Sequence, residues 1–209
     1  MLSGRFTQAV DYAREAHASQ TRKGTIPYLA HLLGVASLVL DYGGDEDQAI
    51  AALPHDTVED QGAHHETLIR RQFGDRIADL VLACTDGTLE GKAEATTPEA
   101  RHAGWLQRKQ RYLAHLAEIQ NDALLVSGSD KLHNARAIVA GLRDPAIGPA
   151  VFERFTGRRD GTLWYYREIA CLFATRHAPM AVALDDAVAA MEAQARASNG
   201  YAIRRNTSQ

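Results

Sequence analysis

The fold turns on residues 45–62, Asp45-Glu46-Asp47-Gln48-Ala49-Ile50-Ala51-Ala52-Leu53-Pro54-His55-Asp56-Thr57-Val58-Glu59-Asp60-Gln61-Gly62. Asp45 suits a helix N-cap, because its carboxylate can accept from the first free backbone N–H groups. Glu46 and Asp47 follow where the positive end of the helix dipole favours acids. Ile50, Ala52 and Leu53 supply apolar positions, and the segment ends near Asp60-Gln61-Gly62. The stretch predicts one helix, the third of the chain, with an apolar body and a polar end.

Outward from it the same period recurs, and alternating β-branched runs are nearly absent, so the chain reads as all-α. Before it, a first helix is expected over residues 5–19. A breaker-rich loop, Thr21-Arg22-Lys23-Gly24-Thr25-Ile26, leads to Pro27 at the start of a second helix, which Gly43-Gly44 stop. After it come helices over 65–73 and 75–84, and then a polar segment, 86–100, with the composition of a mobile loop or lid. Further helices are expected over 101–118, 123–127, 130–142, 162–175 and 179–198, with an irregular stretch over 143–161. Residues 1–200 read as a single domain and 201–209 as a flexible tail.

Composition narrows the function classes. The 209 residues are 45% hydrophobic and 23% charged, the balance of an ordinary globular chain. A net charge of −3 gives no basic excess for nucleic acid or an anionic membrane. No apolar run approaches the roughly 20 residues of a membrane span. Cys84 and Cys171 are too few for a disulfide framework and fit a reduced, cytoplasmic setting as core residues. The 9 histidines each need a reason, since imidazole titrates near neutrality and binds metals.

On a helix at about 100° per residue, His55, Asp56, Glu59 and Asp60 share an arc of roughly 140°. Such acids could form a solvated face, with basic partners nearby. Here they follow an apolar, alanine-rich run, where crowded carboxylates would repel one another unless a cation joined them. Two distant segments complete the pattern: Pro27-Tyr28-Leu29-Ala30-His31, and Ser129-Asp130-Lys131-Leu132-His133-Asn134-Ala135-Arg136. In the second, Asp130 and Asn134 are four apart and face the same way.

With these three segments in order, the chain resembles the HD-domain superfamily. More closely it resembles the alarmone hydrolases, which include the hydrolase domain of the RelA/SpoT proteins and the small stand-alone enzymes. The resemblance implies a compact multi-helix HD-domain bundle. It implies His31, His55, Asp56 and Asp130 as ligands of a divalent metal, typically Mn2+, with other divalent metals compatible with the mixed N/O donors. Glu59 and Asp60 match the acidic pair that activates and orients the attacking water. Arg22 and Lys23 match the basic pair at the nucleotide site, and Tyr28 supports the loop. Asn134 matches a residue near the sugar, and Lys131 is read as a phosphate neighbour. Arg108, on a helix with Arg111 and Tyr112, and Tyr166 and Arg167, in a late helix, are further substrate candidates. His17, His64, His65, His102, His115 and His177 are read as surface or ordinary helix residues, and His133 as packing.

The activity so implied is a metal-dependent pyrophosphohydrolase. It would remove the 3′-pyrophosphate of ppGpp or pppGpp, releasing GDP or GTP and pyrophosphate. The rivals are hydrolysis of adenosine alarmones or of NADPH, another HD-type phosphohydrolase, and a degenerate nucleotide-binding module. No synthetase region fits beside the hydrolase. Pro54 departs from the family by replacing the apolar residue before the His-Asp pair, and proline inside a helix removes a hydrogen bond.

Overall fold

The computed structural model describes the backbone of residues 1–22, 25–87 and 97–206, and the side chains of these up to residue 197. Ten α-helices carry the described fold: α1 (Gly4–Ala16), α2 (Leu29–Asp41), α3 (Glu46–Ala52), α4 (Thr57–Gln61), α5 (His64–Phe73), α6 (Asp75–Cys84), α7 (Pro98–Glu118), α8 (Asn121–Arg143), α9 (Arg158–Thr175) and α10 (Ala181–Asn206). A 3-10 turn, Gly148–Arg154, lies within the stretch read as irregular. The loop after α1 holds two short antiparallel strands, β1 (Thr21–Arg22) and β2 (Ile26–Pro27), with Arg22 opposite Ile26. The all-α reading holds, with this hairpin as the one addition among the described residues.

The expected third helix is two helices, which corrects the single arc drawn through His55 and Asp60. α3 forms as its cap predicts: the Asp45 carboxylate accepts from the Gln48 N–H, and the Gln48 amide oxygen accepts from the Asp45 N–H. Pro54 then ends regular pairing, since it has no N–H to donate and its ring crowds the preceding turn. Residues 53–56 make a tight turn, with the Thr57 N–H donating to the Pro54 carbonyl at 2.8 Å, and α4 starts afresh. His55 and Asp56 therefore sit on a turn, with Glu59 and Asp60 on the helix after it.

α8 also differs from expectation. The sequence predicts a gap between two helices at Gly128-Ser129, yet one helix runs through it. Ser129 returns its hydroxyl to the Leu125 carbonyl at 2.9 Å. Gly128 is required by packing, because a Cβ there would lie 2.3 Å from Phe173 Cε1 and 2.6 Å from Met180 Sδ. Every residue from Ala123 to Asp130 is buried, the pattern of a central helix. α8 packs against α2, α3, α6, α9, α10 and the 3-10 turn. The Gln48 amide of α3 donates to the Asp122 carbonyl at its start, at 3.0 Å. Arg176, after α9, caps the C-terminal carbonyls of α7 at Leu116, Ala117 and Ile119. Cys84 is buried as expected, but Cys171 is exposed on the outer face of α9. The helix read as ending at residue 198 continues to Asn206. No described helix is long and apolar enough to cross a membrane.

Candidate active site

Three elements meet at one point. α2 brings His31 on its first turn, the Pro54 turn brings His55 and Asp56, and the end of the buried stretch of α8 brings Asp130. Ligand atoms of His31, His55 and Asp56 lie within 4.8 Å of one another. His31 Nε2 is 3.7 Å from Asp56 Oδ2 and 3.2 Å from Asp130 Oδ1. His55 Nε2 is 3.1 Å from Asp56 Oδ2 and 3.6 Å from Asp130 Oδ1. The four proposed ligands are thus brought together.

The orientation of His55 follows from the helix break. Its Nδ1 donates to the Ala52 carbonyl at 2.8 Å, which leaves Nε2 as the nitrogen facing the carboxylates. That Nε2 is buried and, although 3.1 Å from Asp56 Oδ2, has no neighbour in hydrogen-bond geometry. A buried polar atom without a partner is costly, and a cation between two imidazoles and two carboxylates satisfies it. The donor set therefore fits a divalent metal. Burial alone would push the His55 pKa down, but Asp56 and Asp130 hold it well above the ordinary histidine value. Burial likewise raises Asp56 and Asp130, yet His55 in the first case and Lys131 in the second help bring both well below the usual carboxylate range. The Asp56 and Asp130 charges are thus faced by His55 and Lys131.

Around these four, each polar neighbour has a defined hold. Tyr28 donates its hydroxyl to Asp56 Oδ2 at 2.5 Å. Behind it the buried His17 stacks on the phenol, with centroids 5.0 Å apart. His17 Nδ1 is 2.6 Å from Gln20 Oε1, and Gln20 donates to Asp60 Oδ2 at 3.0 Å. Glu59 Oε2 accepts from the Asp86 backbone N–H at 3.0 Å. Asp86 pairs with Lys109, whose ammonium lies 4.8 Å from the centre of the Tyr165 ring. Lys131 pairs with Asp130 Oδ2 at 2.7 Å and lies over Tyr112. Burial alone would lower its pKa, but Asp130 raises it well above the usual lysine value. Arg22 reaches Asn134, which in turn donates to Asp130 Oδ1 at 2.5 Å.

The substrate candidates divide. Arg22, Lys131 and Asn134 stand beside the His31, His55, Asp56 and Asp130 cluster. Tyr166 is buried near it, its hydroxyl pKa raised by burial and then by the Asp130 charge. Arg167 pairs with Glu192 of α10, on a different side from Tyr166, since adjacent helical residues point about 100° apart. Arg108 lies beside Gly87 and makes no hydrogen bond or ion pair among the described residues. The basic residue of that helix facing the site is Lys109. Its place was legible from spacing, since Trp105, Lys109, Tyr112 and Leu116 repeat at helical period and the other three are buried. Lys23 and residues 88–96 of the expected lid lie outside the described residues. The sequence reading also missed His17, Gln20, Asp86 and His133.

The HD domain family profile matches residues 9–162, so this chain belongs to the HD domain family. It is 35% identical over 133 residues to a Xenopus tropicalis protein named guanosine-3′,5′-bis(diphosphate) 3′-pyrophosphohydrolase MESH1, covering 62% of this chain and 66% of that one. It is 34% identical over 133 residues to a Synechocystis protein named probable guanosine-3′,5′-bis(diphosphate) 3′-pyrophosphohydrolase, covering 64% of this chain but only 16% of that one. Thus the chain spans less than two thirds of the length of both relatives. The fold matches a solved structure described as a metazoan ortholog of SpoT that hydrolyses ppGpp. The TM-score is 0.69 at 23% identity, over 90% of this chain and 95% of that one.

Proposed function

We propose that the chain is a metal-dependent pyrophosphohydrolase that removes the 3′-pyrophosphate of ppGpp or pppGpp. One observation carries the reading: an unpartnered, buried His55 Nε2 at the meeting point of a second imidazole and two carboxylates, with Glu59 and Asp60 on the next helix. The pyrophosphohydrolase names of the relatives, one of them nearly two thirds covered, support the substrate class.

His31, His55, Asp56 and Asp130 would hold the cation, for which we propose Mn2+. A divalent cation there lowers the pKa of water and neutralises phosphoryl charge. Glu59 and Asp60 activate and orient the attacking water and take its proton between them; the Asp86 N–H donates to Glu59 and the Gln20 amide to Asp60. The bond broken is between the 3′ oxygen and its phosphorus, so pyrophosphate leaves and the nucleoside diphosphate or triphosphate regains a 3′ hydroxyl. Lys131 and Lys109 supply the cations that the acidic cluster lacks for a polyphosphate. Arg22 presents a planar guanidinium suited to stacking on a purine while facing phosphate. Asn134 lies beside Arg22 for the sugar. The reading places the activity in the cytoplasm, consistent with two cysteines that form no disulfide.

The test is a product assay on protein stripped with a chelator and reloaded with Mn2+, offered ppGpp, ppApp and NADPH in parallel. Pyrophosphate and GDP from ppGpp are expected, with none in the stripped protein or in His55→Ala. A reloaded protein that binds Mn2+ yet releases no pyrophosphate from ppGpp refutes the reading.

A further inference from the structure

His133 belongs to none of the roles above, although it lies against the site. Its ring is tilted on His31, with centroids 4.8 Å apart, and the two Nδ1 atoms are 2.9 Å from each other. Two nitrogens at that distance share one proton: one donates and the other accepts.

We propose that His133 is the positioning residue of the metal centre, accepting the Nδ1 proton of His31 and so fixing the tautomer in which His31 Nε2 is free to ligate. The inference rests on the metal reading of the His31 cluster. A ligand imidazole must be neutral, with its proton on the nitrogen away from the cation. His55 meets this through the Ala52 carbonyl. For His31 the atom in the corresponding place is His133 Nδ1. Ligation by His31 Nε2 sets the direction of that bond, because it leaves the His31 proton on Nδ1. Arg22 Nη1 lies 3.0 Å from His133 Nδ1 and 2.9 Å from His31 Nδ1 and is compatible with either direction. With the His133 Nδ1 lone pair taken by His31, the guanidinium is left with Asn134 as its acceptor.

The ring has a slot made for it. Gly34 lies inside α2, where glycine is disfavoured. A Cβ at that position would lie 2.3 Å from His133 Nε2 and 2.6 Å from its Cδ2. Only glycine lets the imidazole lie across α2 against His31.

The experiment is calorimetric titration of Mn2+ into chelator-stripped protein at mildly alkaline pH, with thermal unfolding of each stripped form. The wild type and His31→Ala set the frame. If the wild type has no site that His31→Ala removes, the metal reading itself fails, whatever His133 does. Given that site, His133→Leu is expected to bind Mn2+ about 10- to 100-fold more weakly, the usual loss on removing the partner of a ligand histidine. His133→Gln, whose amide oxygen accepts, should recover most of the affinity. Gly34→Ala should weaken binding by displacing the ring while removing no polar group. Unchanged unfolding of stripped His133→Leu would show that the fold persists. Wild-type affinity in His133→Leu, a His133→Gln no better than His133→Leu, or a folded Gly34→Ala with undiminished affinity would each overturn the proposal.

Discussion

Replacing Asp130 by asparagine separates its two jobs, holding a cation and balancing Lys131. The side chain keeps its shape, and its oxygen can still accept from Asn134. What it loses is one negative charge 2.7 Å from an ammonium whose side chain is only 12% exposed. At an effective dielectric constant of about 20, that contact is worth roughly 6 kcal/mol before desolvation is counted. Desolvation offsets much of it in the intact pair. Removing one partner leaves the other buried alone, at a measured cost of about 3–5 kcal/mol. Loss of the His55 proton, which Asp130 helps to hold, relieves part of the excess positive charge, so the lower end, about 3 kcal/mol, is expected. For a chain of this size that corresponds to a fall in Tm of roughly 6–12 °C. The assay is urea unfolding in EDTA, so that metal loss does not contribute. Lys131→Met and the double variant complete a cycle, whose coupling should exceed about 1.5 kcal/mol because the two groups touch. A cost below about 1 kcal/mol for Asp130→Asn in EDTA, or a coupling near zero, would refute the charge balance drawn here.

Glu59→Gln keeps size and removes the base, so kcat for ppGpp should fall about 10²- to 10⁴-fold while calorimetry shows Mn2+ still bound. Gly128→Ala forces a methyl against Phe173 and Met180 and should cost about 1–3 kcal/mol in urea unfolding, with the helix content of the folded state unchanged. Mn2+ affinity should rise with pH, and the rise should extend above the ordinary histidine pKa. The sign follows because Asp56 and Asp130 hold the His55 proton to higher pH, and that proton must leave before the imidazole ligates. Titration at several pH values checks it, and an affinity flat from mildly acidic to mildly alkaline pH would contradict the assignment of His55.

The proposed ligand set was legible through the family resemblance, because each member belongs to a short segment that matches it: a histidine opening an apolar helix, a His-Asp pair after an alanine-rich run, and an aspartate four before an asparagine. What remained hidden depended on geometry between segments. A straight helical wheel carried His55 and Asp60 onto one helix, whereas Pro54 splits them between a turn and a new helix. The same wheel sets His133 apart from Asp130 and Asn134, yet α2 packs against α8 and Gly34 there admits the imidazole. Arg167 is grouped with Tyr166 by a Trp/Tyr/Arg patch like that of the relatives, although a single step along the helix takes it to Glu192. Lys109 was within reach, since it stands on the buried stripe of α7 and a cation there needs a partner such as Asp86. His17 and Gln20 carried no such signal, because their importance comes from α4 packing beside α1.

The places where the sequence breaks its own local rules converge on this centre. Proline after a helical run frees the Ala52 carbonyl, and the His55 imidazole takes it. Glycine within α2 forgoes helix propensity, and His133 fills the opening. Aspartate at the end of a fully buried stretch of α8 would be intolerable alone, and Lys131, Asn134 and two imidazoles surround it. Each breach, taken singly, goes against the local preference of its helix. Their convergence on the cluster around His31, His55, Asp56 and Asp130 is what the proposed cation site requires, because a cation draws together groups that folding alone would keep apart.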